Sequence, residues 1–272
     1  MEESPHFTRP PVEEVAMSVQ FTPLTALTTA QVARYWEGVR ERFPRWNEAP
    51  PIDAVVEMFG APKLDMPRFI LTVEGGVLPH RALFENELGT ELVQVQRDRF
   101  VRNWRRHGNP IEYPRYKALR ERFKADLDGF IVYASEGGLG VPAPNQCEIT
   151  YVNHIPAGEG WQSHSDLHRV FRPLRESAPR PENIDMTLNY VFPWPGEELP
   201  AGRLHVQITS VHRVSDGVPL IAATLVARGR PRSQNSAGVL QWLDVGHAFL
   251  VDTFASLTTI DMHKLWGRQD VR

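Results

Sequence analysis

A single cysteine, Cys147, stands in 272 residues. An intrachain disulfide needs two thiols and a cysteine-based zinc site needs several, so both are excluded. Cys147 falls on the apolar side of its strand, where a thiol packs as a small hydrophobe and is a poor nucleophile. The chain also lacks GxxxxGK followed by Ser or Thr, GxGxxG after a strand, GxSxG and HExxH. These absences disfavour P-loop nucleotide hydrolysis, Rossmann redox chemistry and α/β-hydrolase chemistry, and no cofactor is expected. The GGLG run at Gly137–Gly140 follows a helix and precedes a proline loop, which is the context of a turn rather than of a phosphate cradle.

Long apolar runs are missing as well. Charges interrupt every stretch well before the roughly 18 residues a spanning helix needs, and mean hydropathy is -0.35. The opening MEESPHFTRPP has two acids and no apolar h-region. Neither a membrane partner nor a secretory leader is therefore expected, and the expected location is the cytoplasm.

What is present suits a packed core. Hydrophobic residues make up 42% and charged residues 23%, ordinary for a globular chain, while 23 prolines raise loop content. The net charge of -3 conceals a dipole, because residues 94–124 hold ten Lys or Arg against three acids. Arg102, Arg105, Arg106, Lys117 and Lys124, with Trp104 as a stacking surface, form a candidate nucleic-acid site within that block. A solvated helix face, with Trp104 packed beneath the next helix, explains the same pattern.

Hydrophobic periodicity supplies the architecture. VEEVAMSVQF alternates as a strand, and Val32, Tyr35, Trp36, Val39 and Phe43 make a helical stripe before Pro44. Arg45 to Pro67 reads as an irregular, proline-rich connection. PRFILTVEG, ELVQVQ and RFVRNWRR read as three strands, followed by a helix from Tyr113 to about Phe130 with Leu119, Phe123 and Leu127 on one side. The order then restarts. NQCEITYVNHI is a strand, SHSDLHRVFRPL a short helical crossover, and IDMTLNYVF, GRLHVQITSVHR and VPLIAATLVARG are strands. Asp216 and Gly217 mark a hairpin between the last two. A final helix, Gly238 to Leu257, stacks Leu240, Leu243, His247, Leu250 and Phe254.

The expected fold is thus α+β, with tandem β-α-β-β-β-α units over residues 10–136 and 137–267 fused into one globule. Each unit would form an antiparallel sheet backed by a long helix. The uncovered faces would line a shared saddle or cavity, presenting Glu148, Thr150, His154, Thr187, Asn189, His205, Gln207 and Thr209. Glu148, Thr150, Asn153, His154, Asn189, His205 and Gln207 are the candidate ligand-binding residues. Such a polar set needs water or a bound partner, since an unpaired buried polar group costs about 1–3 kcal/mol.

Other chemistry is weaker. His164 and His168 lie four apart, on one face of an α-helix, with Asp166 between them; two ligands still need a third, and no metal site is expected. His154 and His205 with Glu148 would suit a hydrolase or lyase if they shared a pocket. His247, inside an apolar stripe, reads as a core histidine.

Several stretches together resemble a known family: PPVEEVAMSVQF, LVQVQRDRFVRNWRR, YPRY, CEITYVNHI, LDVGHAFLVDTFASLTT and MHKLWG. From Pro10 to Gly267 the chain is similar to a sporadically distributed family of bacterial and archaeal proteins without an assigned activity or cofactor. The matching positions are Arg99, Phe100, Asn103, Trp104, Tyr151, Asn153, His247 and Trp266. The resemblance implies a role suited to mobile or defence-linked genes, such as a sensor, antitoxin or inhibitor. The leading expectation is a non-enzymatic binding protein for a small molecule or an operon-encoded protein. Nucleic-acid binding and a hydrolase or lyase are the alternatives, and a homo-oligomer is left open.

Overall fold

The computed structural model describes residues 5–60, 81–106, 108–176, 179 and 181–269. Its elements are β1 (Val12–Phe21), α1 (Thr29–Val39), β2 (Arg45–Ala49), β3 (Arg81–Glu85), β4 (Glu91–Gln96), β5 (Arg99–Arg105) and α2 (Arg115–Glu136). There follow β6 (Pro144–Pro156), a 3-10 helix (His164–Arg169), β7 (Asp185–Pro193), β8 (Pro200–His212), β9 (Pro219–Gly229), α3 (Ser236–Leu257) and α4 (Ile260–Leu265).

The strands build one antiparallel sheet in the order β2-β3-β4-β5-β1-β6-β9-β8-β7. The fold is α+β, and the two antiparallel sheets expected from the sequence, which could have joined edge to edge or closed on one another, are edge to edge in one sheet. They join where β1 pairs with β6, with Val15 opposite Tyr151 and Met17 opposite Ile149. Both central strands alternate, so a fixed register places Val15, Met17 and Val19 beside Cys147, Ile149 and Tyr151 on one buried side.

The helices pack on that side. The apolar stripe of α2 sets Phe123 and Phe130 against Phe100, with the rings of Phe100 and Phe130 stacked at 5.3 Å. Burying each such ring stabilises the fold by about 1.5–3 kcal/mol. Helix α3 is capped by Asn235, whose side chain accepts from the Gly238 N–H. Its Trp242 is fully buried and donates from Nε1 to the Ala201 carbonyl at 2.8 Å. Gly229 permits that approach, because a Cβ there would lie 2.1 Å from the same carbonyl oxygen.

Two strands, and the short helix α4, depart from the sequence reading. Arg45–Ala49, expected to be irregular, is edge strand β2, and Arg81–Glu85 is a strand the periodicity did not indicate. RWNEA carries little β-propensity, and its order comes from pairing with β3 and from Trp46 packing edge-on against Phe84 at 5.2 Å. The expected strand PRFILTVEG, residues 67–75, lies outside the described residues. No described helix is long and apolar enough to cross a membrane.

Candidate functional site

Among the described residues no helix packs on the second sheet face. Period-two alternation puts Glu148, Thr150, Val152 and His154 of β6 on it, beside Arg203, His205 and Gln207 of β8, Asn189 of β7 and Arg228 of β9. Asn153 is a correction to the candidate set. It sits 3% exposed on the opposite, helix-covered side and donates from Nδ2 to the Ala223 carbonyl at 3.1 Å. Its parity with Cys147 and Tyr151 requires this.

The chain itself lies across this polar face. After β2, residues 50–59 run as an extended strap held by side chains rather than by a strand ladder. Gln96 makes two bonds to the Ile52 backbone, accepting its N–H at 2.8 Å and donating to its carbonyl at 2.9 Å. Arg99 donates to the Asp53 carbonyl at 3.0 Å, and Gln20 accepts the Val55 N–H at 3.0 Å. Arg203 donates to the Met58 carbonyl at 2.9 Å and lies over the Phe59 ring. The strap thus passes from β4 over β5 and β1 to β8.

Its anchor is Glu57, whose side chain is 5% exposed. The carboxylate pairs with Arg203, meets His205 Nε2 at 2.6 Å and lies 3.4 Å from Arg228. His205 Nδ1 is 2.7 Å from Asn189 Oδ1, and Arg228 donates to Glu148 at 2.5 Å. Burial by itself would raise the Glu57 pKa, but the bond to His205 and the charges of His205, Arg203 and Arg228 bring it below the ordinary value.

Beneath the strap the match is poorer. Both amide atoms of Gln146, the Ser18 hydroxyl and Arg99 Nε are buried without a hydrogen-bond partner among the described residues. Ser18 faces Glu148, and Gln20 faces Gln146, across the β1–β6 pair. Val55 closes the space above them, leaving a gap too small for a water molecule. Burial also lowers the pKa of Arg99, partly offset by Glu148 and Asp98.

Of the residues expected to act together, Glu148, Asn189 and His205 therefore meet through Glu57 and Arg228. His154 does not join them. It pairs with Ala222, whose other neighbour is Thr209, four residues along β8 from His205. That is a separation of about 13 Å along the strand, with two inter-strand spacings as well. His154 instead lines an open cleft of about 990 Å³ with Arg9, Arg106 and Arg213, where burial and Arg213 lower its pKa. The hydrolase or lyase arrangement is thus not assembled. Cys147 is fully buried, which pushes its thiol pKa well up.

The basic block is largely neutralised. Arg102, 5% exposed, is turned toward α2, where it bonds Asp126 at 2.6 Å, and it also bonds Glu91 of the neighbouring strand β4 at 2.7 Å. Trp104 is 3% exposed and packs on Tyr113. Arg105 pairs with Glu85, Arg106 donates to the carbonyls of Val12 and Ile111, and Lys124 pairs with Asp128. Lys117 is exposed. Arg102 and Trp104 form no stacking platform, because alternation along β5 sends both into the core.

His164 and His168 fall on a 3-10 helix, where residues four apart do not share a face. Asp166 there caps the turn, accepting from the Ser163 N–H at 2.9 Å. Among the described residues no group of three or more His, Cys, Asp or Glu side chains could hold a metal ion.

Sequence reasoning missed Glu57, Gln20, Gln96, Arg99, Arg203 and Arg228. Parity could have added Arg203, two residues from His205, and Arg228, but a lone acid in AVVEMFG gives no local sign of its partners. Set against family models, curated proteins and solved structures, the chain matches none.

Proposed function

We propose that this is a non-enzymatic binding protein whose polar sheet face receives an extended, acidic segment of a partner protein in place of its own strap. The observation that carries this reading is the mismatch under residues 50–59. Two arginines and a histidine hold one carboxylate, while Gln146, Ser18 and Arg99 keep buried polar atoms unsatisfied beneath Val55. Each unsatisfied group costs about 1–3 kcal/mol, so a segment that met them with backbone or polar side-chain groups would bind better than the strap does.

The strap holds its place because it is tethered, at an effective concentration that short linkers set near the millimolar range. The face is built for an extended chain: Gln20, Gln96 and Arg99 bond the strap's backbone carbonyls and N–H groups, and it is at Glu57 that Arg203, His205 and Arg228 hold a side chain. Recognition of this kind needs a carboxylate at the Glu57 position and tolerates variation elsewhere.

The order of strands in the sheet is compatible with the same reading. Strands β3-β4-β5-β1 and β7-β8-β9-β6 occupy corresponding places on either side of the central pair, each set followed by a helix of 22 residues. Two halves joined at β1 and β6 make one long face with the strap across the seam. The family resemblance adds an accessory role, as a sensor, antitoxin or inhibitor in a defence-linked or mobile-element operon.

The test uses a fluorescent peptide with the sequence of residues 50–60, PPIDAVVEMFG, added to the full chain carrying Glu57→Gln. The weakened strap should yield to the peptide, giving saturable binding that Arg203→Ala removes. A folded Glu57→Gln protein that ignores the peptide at millimolar concentration would overturn the reading.

A further inference from the structure

On the helix-covered side, far from the strap, a second cavity of about 270 Å³ opens between the N-terminal segment, the start of α2 and the middle of α3. Phe7, Val12, Leu250 and Phe254 supply apolar walls. Its polar groups form one connected chain. The Tyr113 and Tyr151 hydroxyls are 2.8 Å apart, and the Tyr151 hydroxyl is 3.2 Å from His247 Nδ1. The imidazole is clamped by Tyr116, stacked at 3.7 Å with 7° between the rings. Tyr116 in turn donates to Asp244 at 2.7 Å, and Arg120 grips the same carboxylate.

This is more structure than packing a core histidine requires. With Nδ1 engaged by Tyr151, Nε2 is the remaining polar atom of a ring on the cavity wall, and it makes no hydrogen bond among the described residues. The rim is held in an unusual shape. Arg115 has φ of 72°, the one positive value among described non-glycine residues, and is pinned by donating to the carbonyls of Phe7 and Thr8. Residues in this backbone region persist where their surroundings over-determine them, and they gather at ligand clamps.

We infer that this cavity is a binding site for a small neutral ring compound, single or fused, bearing one hydroxyl group. Size sets the ring limit, since a cavity of about 150 Å³ already holds benzene. The hydroxyl follows from the proton chain. If Tyr113 donates to Tyr151 and Tyr151 to Nδ1, Nε2 carries the proton and donates to the ligand. If the chain runs the other way, Nε2 accepts. A hydroxyl satisfies either direction. Neutrality follows from burial, which lowers the His247 pKa to about 4 against a smaller upward pull from Asp244, and raises Tyr113 to about 12. The Tyr113–Tyr151–His247 chain is therefore uncharged at neutral pH, and the one arginine of the rim named above, Arg115, already commits its guanidinium to the Phe7 and Thr8 carbonyls, so a charged ligand would lose its hydration for little electrostatic return.

The experiment follows the His247 ring by ¹⁵N-resolved NMR while para-cresol or toluene is titrated into the full chain. Para-cresol should shift Nε2 saturably and bind about tenfold more tightly than toluene, the difference one hydrogen bond confers. His247→Phe should bind both equally. No saturable shift in the unaltered protein, or equal affinity for the two compounds, would overturn the assignment without relying on any variant's folding.

Discussion

His205 Nε2 lies 2.6 Å from Glu57 Oε1, joining strand β8 to the strap that follows β2. That contact, with Arg203 and Arg228 on the same carboxylate, fixes residues 50–59 over the centre of the sheet. The polar face predicted to need a partner has one in its own chain.

Acid should loosen the strap. The folded-state pKa of Glu57 lies below its unfolded value, so its contribution is fully present above the ordinary carboxylate range and is lost as pH falls through the folded pKa. Between pH 7 and pH 3 the unaltered protein should therefore lose about 1–2 kcal/mol more unfolding free energy than Glu57→Gln, the scale of charged hydrogen bonds. Paired urea titrations at the two pH values measure the difference, and parallel losses would show that the carboxylate contributes nothing.

Arg102→Met should destabilise by about 3 kcal/mol, because Asp126, 3% exposed, would lose its buried partner and keep only Arg42. Lys117→Ala, on the exposed side of α2, should stay within about 0.5 kcal/mol. Thermal denaturation separates them. Equal and small effects would mean that Arg102 faces water, as a nucleic-acid contact would.

Asn153→Ala should cost about 1–3 kcal/mol by leaving the Ala223 carbonyl underbonded, yet leave capture of the strap peptide by the Glu57→Gln protein unchanged. Peptide titration in that background decides it, and a lost peptide site in a folded double variant would return Asn153 to the binding face.

Much of the fold was legible because long alternating or helical patterns survive any context. NQCEITYVNHI declared its buried side through Cys147, Ile149 and Tyr151, and the stripe Leu119, Phe123, Leu127 and Phe130 marked α2 before its partners were known. Short elements were not legible. Strand β2 exists through pairing with β3, and no periodicity in RWNEA announces that. The site divided the same way. Alternation placed Glu148, Asn189 and His205 on one face, and would have kept Asn153 off it had parity alone been followed.

The sequence by itself determined which residues turn toward the core, because side-chain direction along a strand or helix is set by local backbone geometry. Only the tertiary structure decided that Glu57 meets Arg203, His205 and Arg228, and that Tyr113 and Tyr151 reach His247. Those contacts join positions far apart in the chain, and their partners are chosen by how the sheet and helices pack, which no local pattern encodes.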